Sequence, residues 1–242
     1  MIEAIATYFA QNGADWLQMV AEHLAISATA LLAACVFALP LGVACSASAL
    51  TERLAGGVAG VFRVIPSLAV LILCVPVLGV GTPPAVAALT VLAIPPILIN
   101  TAVAFRSVPA AVIEAALGMG MNRAQLFFSV KCPLAFPLAF AGVRTAATEV
   151  IASATLAAYI GAGGLGVLIY TGLGALRSDL LWIGGLSVAL LSLLVNRGLA
   201  LVDARVRRYE RTAGEHHRPR LRHRVPRGDP GAFFFYRMKP LT

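Results

Sequence analysis

Charge is what this 242-residue chain has least of. Only 12% of its residues are Asp, Glu, Lys or Arg, against about 25% in soluble domains, and 59% are hydrophobic, with a mean hydropathy of +0.85. That balance excludes an ordinary water-soluble surface and leaves an integral membrane protein. The net charge of +8 gives no nucleic-acid footprint: residues 215–242 hold seven Lys/Arg against two acids, so +5 sits in that tail and +3 in everything before it. The four cysteines, Cys35, Cys45, Cys74 and Cys132, sit in or beside apolar segments without metal-ligand spacing. The four histidines do not cluster with them, so neither a disulfide framework nor a zinc site is indicated, and no metal is expected. Residues 1–22 carry Glu3, Asp15 and Glu22 but no Lys or Arg, and lack the basic start of a signal peptide; they read as an amphipathic lead-in. Lastly, no internal repeat is visible, which speaks against a secondary transporter built from inverted repeats.

What is there is a series of uncharged runs. Leu24 to Thr51 is long enough for one span of about 20 residues. Residues 64–105 suit two, divided at Gly79-Val80-Gly81-Thr82-Pro83-Pro84 into spans of roughly 63–79 and 85–105. A fourth is expected over Leu134–Ile160 and a fifth over Leu180–Val202. The fold class is therefore all-α, a polytopic helical bundle of about five transmembrane helices occupying 23–205. Pro66, Pro76, Pro95 and Pro96 fall in or near the spans and are tolerated where neighbouring helices cover the freed carbonyls. GAGGLG at 161–166 lacks the preceding strand and following lysine of a phosphate loop and is read as a turn. From 206 to 242 the chain turns basic and, past Ala213, Pro- and Arg-rich; such a tail cannot bury a core and is expected to be disordered or to lie on anionic lipid headgroups.

The longest polar interruption, 107–137, reads SVPAAVIEAALGMGMNRAQLFFSVKCPLAFP. Ser107 is placed to cap a short helix with Pro109 in its first turn, and AAVIEAAL consists of helix formers. Gly118 and Gly120 allow a sharp turn, Asn122 caps a second short helix, and Pro133 brings that helix towards its end. Ala115 and Ala116 leave a flat surface to which another protein's backbone could come close, with Glu114 as one charge at the rim.

The spacing is specific. Glu114-Ala115-Ala116, three residues, Gly120, nine residues, Val130, two residues and Pro133 resembles the EAA motif of permease subunits of ATP-binding-cassette importers, with Val130 for the usual Ile and Cys132 for the usual Leu. HLAISATALLAACVFALPLGV, VIPSLAVLILCVPVLGVGTPPAVAALTVLAIPPILINT and AGVRTAATEVIASATLAAYIGAGGLG are similar to successive blocks of the permeases of glycine betaine/carnitine/choline importers, covering roughly residues 20–205. This resemblance implies an inner-membrane, non-enzymatic subunit that pairs with a copy of itself or a sister permease. It would dock an ATP-binding subunit through Glu114, Ala115, Ala116, Gly120 and Pro133, and take an osmoprotectant from an external binding protein. ATP would be bound by the partner, so no cofactor is expected here. An importer for another small solute such as an amino acid is the alternative, with a secondary transporter without an ATPase behind it.

The distribution of positive charge orients the chain. With the N-terminus outside, inner segments hold Arg53, Arg63, Arg106, Arg123, Lys131 and the basic C-terminus, and outer segments only Arg177; the Glu114 stretch then lies in the cytoplasm. Within the fourth span, Arg144 and Glu149 stand about 140° apart on the helix, too far round for a direct pair, and are candidates for the translocation path or for polar contacts in the bundle. Trp16, Trp182, Tyr159 and Tyr170 are too scattered to form an aromatic cage for a quaternary ammonium ligand.

Overall fold

The computed structural model describes residues 2–214, and all regular structure among them is helical; the expectations for 215–242 lie outside the described residues. The chain divides into units Met1–Arg207 and Arg208–Thr242, and the packing discussed below belongs to the first. In chain order the helices are α1 (Ile2–Cys45), α2 (Ala49–Val64), α3 (Ser67–Leu78), α4 (Thr82–Arg106), α5 (Ala110–Gly118), α6 (Arg123–Leu126), α7 (Cys132–Ala157), α8 (Gly166–Gly174) and α9 (Ser178–Gly214). A π turn over Phe127–Lys131 joins α6 to α7, and a 3-10 turn, Ala158–Ile160, follows α7.

Among the described residues, four segments are long and apolar enough to cross a membrane: Ile5–Cys45, Thr82–Arg106, Arg123–Ile160 and Ser178–Arg205. The span expected at 63–79 is not one of them, because α3 has 12 residues and is about 18 Å long against a hydrocarbon core of about 30 Å. Pro66 is the cause: it has no N–H to donate and forces the preceding residue out of the helical region, and Ile65 is extended at φ −71°, ψ 125°. The stretch before it, expected to be a glycine-rich link, is the helix α2, opened by Ser48, whose Oγ accepts the Thr51 N–H at 3.2 Å. Span one accordingly stops at Cys45 and not at Thr51. Its N-terminal side reaches through the expected lead-in to Ile2, with a kink at Asn12 (φ −125°, ψ 23°). At the far end, helix continues through 206–214, where disorder was expected.

The broken pair α2–α3 still returns the chain. α1 and α4 run parallel, since Thr90 Oγ1 lies 3.3 Å from Ala30 O and Gly42 packs on Leu98 and Thr101. Two parallel neighbours require a crossing between them, and α2 and α3 supply it in two pieces.

α4 is the centre of the bundle, between α1 and α7. Ala30, Ala34 and Ala38, each four residues on from the last, are fully buried from α1. Ala85, Ala88, Leu89, Ala93 and Ile97 of α4 meet them, with Ala146, Val150, Ala154 and Ala157 from α7. Small side chains let backbones approach where water gives no drive to association. Two glycines mark the closest approaches. A Cβ on Gly42 would stand 2.7 Å from Thr101 Cβ, and one on Gly142 would stand 2.6 Å from Asn100 Cβ and 2.7 Å from Pro96 O. Outside this core, α8 and α9 enclose Leu165, Leu168, Leu180 and Ile183, and Trp16 of α1 donates its Nε1–H to Ser187 Oγ at 2.9 Å.

Gly142→Leu should therefore destabilise the detergent-solubilised protein by about 1–3 kcal/mol through overpacking against rigid backbone, read as a lowered thermal midpoint. Gly118→Ala, with open space around the new methyl, should leave that midpoint unchanged or slightly raised.

Candidate functional site

The helix pair at 110–126 is built from local signals. Ser107 closes α4 and does not open α5: its N–H donates to Val103 O at 2.9 Å and its hydroxyl to Ala104 O at 2.8 Å. This corrects its expected role as an N-cap, and α5 starts instead from Pro109 without a side-chain cap. Val108, buried with Ala104, Ala135 and Ala139, ties the entry to the bundle, with Phe105 and Ile113 packed on the cluster. At the far end of α5, Met121 N–H donates to Ala116 O (3.2 Å) and Gly120 N–H to Leu117 O (2.9 Å), with Gly120 at φ +83°. These are the paired bonds of a Schellman stop, which needs a left-handed residue. Asn122 then forms a reciprocal capping box: its Oδ1 accepts the Gln125 N–H and Gln125 Oε1 accepts the Asn122 N–H, both at 2.9 Å.

On this frame Glu114 and Ala115 are exposed, while Ala116 is only 3% exposed and turned into the protein's own packing. The flat surface expected of both alanines belongs to Ala115 alone, because successive helix residues point about 100° apart. Val112, Leu117, Met119 and Phe128 of this helix pair and its exit are exposed as well. Pro133 does not end a helix. It sits in the first turn of α7, exposed, just past the π turn in which Cys132 N–H reaches back to Phe127 O. The wider turn accommodates a residue with no donor, so one helical rod runs from Arg123 to Ile160. The motif's Glu114, Ala115, Ala116 and Gly120 therefore share one short helix and its stop, and Pro133 lies apart at the base of the rod.

Arg144 and Glu149 separate as their helical spacing requires. Arg144 turns to α9, donating from Nη1 to Asp203 Oδ2 (3.3 Å) and from Nη2 to Asn196 Oδ1 (3.2 Å), while its Nε is buried without a partner. The sequence reading passed over both acceptors. Their signal was there: Asn196 and Asp203, seven residues apart, share one face of α9. Glu149 points elsewhere, to a hollow of about 380 Å³ lined with it by Val64, Ile65, Pro66, Ser67, Leu92 and Ser153.

The glycine turn at 161–166 is a clasp on α1. Gly161, Gly163 and Gly164 have φ of +80°, +84° and +78°, and Gly164 N–H donates to Glu22 Oε2 at 3.1 Å. A Cβ on Gly163 would meet that oxygen at 2.6 Å. His23, 1% exposed, has its Nε2 3.0 Å from Ile151 O on α7, and Gly81 N–H reaches Ile160 O at 2.8 Å. Glu22 thus ties α1 to the glycine turn and His23 ties it to α7, while Gly81 ties the α3–α4 turn to the end of the rod at Ile160. Reading residues 1–22 as a separate lead-in concealed this.

Comparison with known proteins places this architecture. The family model described as binding-protein-dependent transport system inner membrane component matches residues 36–208. The chain is 41% identical over 205 residues to the carnitine transport permease protein OpuCB of Listeria monocytogenes, covering 85% of this chain and 94% of that one. It is 36% identical over 203 residues to the glycine betaine/carnitine/choline transport system permease protein OpuCB of Bacillus subtilis strain 168, covering 83% and 92%. Among solved structures, the MetNI methionine ABC transporter in an inward-facing conformation superposes with a TM-score of 0.68 at 24% identity, over 76% of this chain and 93% of that one, a likeness of fold.

The pairing of Arg144 with α9 has a measurable consequence. Asp203→Ala removes the carboxylate from a charged hydrogen bond and should cost about 1.5–3 kcal/mol. Combined with Arg144→Met it should cost less than the sum of the two single changes, seen as a non-zero coupling in a double-mutant cycle of thermal stability. Strict additivity would mean that the two side chains do not interact in the folded protein.

Proposed function

This chain belongs to the binding-protein-dependent transport system inner membrane component family, and from that premise we propose that it is the permease subunit of an ATP-driven importer for a methylated-ammonium osmolyte of the glycine betaine, carnitine or choline kind. The observation that carries the substrate class is the identity of 41% along 94% of a carnitine permease. The permease pairs with a second permease, either a copy or a sister, receives solute from an external binding protein, and docks an ATP-binding subunit that holds and hydrolyses ATP.

In this reading the N-terminus lies outside. Arg53, Arg106, Arg123 and Lys131 then lie at the cytoplasmic ends of the crossings and Arg177 at the outer one, as the positive-inside bias favours; Arg63, expected inside with them, falls at the end of α2, part-way along the two-piece crossing. The exposed patch of Val112, Ala115, Leu117, Met119 and Phe128, rimmed by Glu114, faces the cytoplasm and sits in a cleft of the ATPase. Gly120 fixes the angle between α5 and α6. Because α6 runs through the π turn into α7, displacement of the pair by closure of the ATPase moves α7, and with it the wall of the pathway.

Proteoliposomes holding this permease with its ATPase and binding protein should show ATP-dependent uptake of labelled glycine betaine, choline or carnitine; uptake of none of them would sink the substrate reading. In the same assay Gly120→Val, a β-branched residue forced to positive φ, should weaken ATPase pull-down and lower uptake at least about tenfold, some 1.4 kcal/mol in activation free energy, with membrane abundance preserved. Wild-type coupling in that variant would show that the stop after α5 does not set the docking geometry.

Orientation is tested separately. On a Cys-free background, Ser107→Cys should react with a membrane-impermeant thiol reagent only after cells are opened, whereas Thr82→Cys should react in intact spheroplasts; both side chains are exposed. Labelling of Ser107→Cys from outside would invert the topology and remove the helix pair from the ATPase's reach.

A further inference from the structure

The aromatic residues expected near the outer ends of the crossings are scattered in the sequence, and the fold brings two of them together. Tyr159, in the 3-10 turn after α7, and Tyr170, on α8, have ring centroids 5.7 Å apart and planes tilted by 50°. Gly166 allows the meeting. A Cβ there would overlap Thr155 O and stand 2.8 Å from Ala158 Cβ, so only a residue without a side chain lets α8 rest on the end of α7. Tyr170 is one turn further along the same face of α8 and meets the ring of Tyr159, which follows Ala158 in the chain. The pair is open to solvent, with Tyr159 62% exposed and Tyr170 half-buried.

The charge at this end is of one sign. In the orientation proposed above, the outer segments 1–22 and 158–179 hold Glu3, Asp15, Glu22 and Asp179 against one base, Arg177, and no other Lys, Arg or His occurs in either segment. Arg177 is itself paired with Asp179. Such a surface raises the local concentration of cations. The rings then discriminate among them. A primary ammonium carries N–H groups that need acceptors, and ring faces offer none. A methylated ammonium group has no N–H, and aromatic faces hold it within about 6 Å of their centroids. Centroids 5.7 Å apart place both rings within reach of one such group.

We propose that Tyr159 and Tyr170 form an outer entry site for the methylated ammonium group of the transported solute, met as the solute leaves the external binding protein. The inference rests on the function and orientation proposed above and assigns two specificity-determining residues to them. Two rings hold such a group weakly, which suits a site that solute must also leave.

The test places Leu173→Cys, exposed and three residues past Tyr170 on α8, on a Cys-free background in membranes that hold the permease with its ATPase. The binding protein is left out so that it cannot sequester the probe. Scaled to their rates with a free thiol, a trimethylammonium methanethiosulfonate should modify this cysteine at least about threefold faster than the primary-ammonium reagent. Both carry the same charge, so the acidic surroundings cancel. Millimolar tetramethylammonium should slow the modification. Tyr159→Leu or Tyr170→Leu should abolish both effects, and Tyr159→Phe should rescue them because its ring face remains. Competition by tetramethylammonium needs no change at either tyrosine, so it decides the matter even if the leucine variants fail to insert. Equal scaled rates, no competition by tetramethylammonium, or effects that persist in both leucine variants, in a complex that imports methylated ammonium solutes once its binding protein is restored, would overturn the entry site. The tyrosines would then be interfacial anchors, and the importer reading would stand. A wild-type complex that imports none of these solutes would overturn both.

Discussion

Helices inside a bilayer gain little from being brought together by water, because lipid tails are as apolar as their side chains. Close van der Waals packing has to supply what the hydrophobic effect supplies elsewhere. In this protein that packing is concentrated on α4. Alanines at four-residue intervals on α1 press one side of it, and Gly142 of α7 presses the other near the backbone oxygen of Pro96. The prolines of α4 are tolerated for the same reason: Pro95 and Pro96 are buried among neighbours and not exposed to lipid. With α4 held this tightly, α1 and α7 become one body with it. The parts left to adapt are the broken α2–α3 pair and α9.

The placement of charge follows from that arrangement. A guanidinium within a span must be paired at once, and the face of α9 carrying Asn196 and Asp203 meets Arg144 on the outer side of the core. Five residues on, the next ionisable group of α7 is turned about 140° away and lines the hollow at the break between α2 and α3. Positive and negative charge within one helix are thus separated into a structural contact and a cavity wall.

Local chemistry was the part most legible in the sequence. The spacing from Glu114 to Gly120 marked the short helix and its stop, and Asn122 with Gln125 three residues on marked the next start; all depend on backbone bonds spanning at most five residues. The errors occurred where neighbouring or distant elements decide. Ser107 has a hydroxyl suited to opening a helix, but α4 was already there to be closed. Pro133 is a helix terminator by itself, and a π turn absorbs it. The uncharged run from 64 to 79 gives no indication in its hydropathy that Pro66 divides it, since hydropathy does not register a missing N–H. Glu22 was assigned to a lead-in and the contact of His23 at the start of the first span went unseen, because their partners, Gly164 and Ile151, lie more than 120 residues away.

That π turn bears on how motion can travel. Had Pro133 ended a helix, a hinge would lie between the exposed pair and the membrane, and a push on α5 and α6 could be lost in bending. The chain instead changes its hydrogen-bond register without interruption, and the stacked rings of Phe105 and Phe127, 5.6 Å apart, brace the turn against the end of α4. A displacement at the capping box therefore reaches α7 as rotation or translation of a rod. The rod carries Arg144 on one side and Glu149 on another, so a rotation that strains the contact with α9 also reshapes the hollow at Pro66. Coupling between the two faces requires no separate relay, because they are faces of one helix.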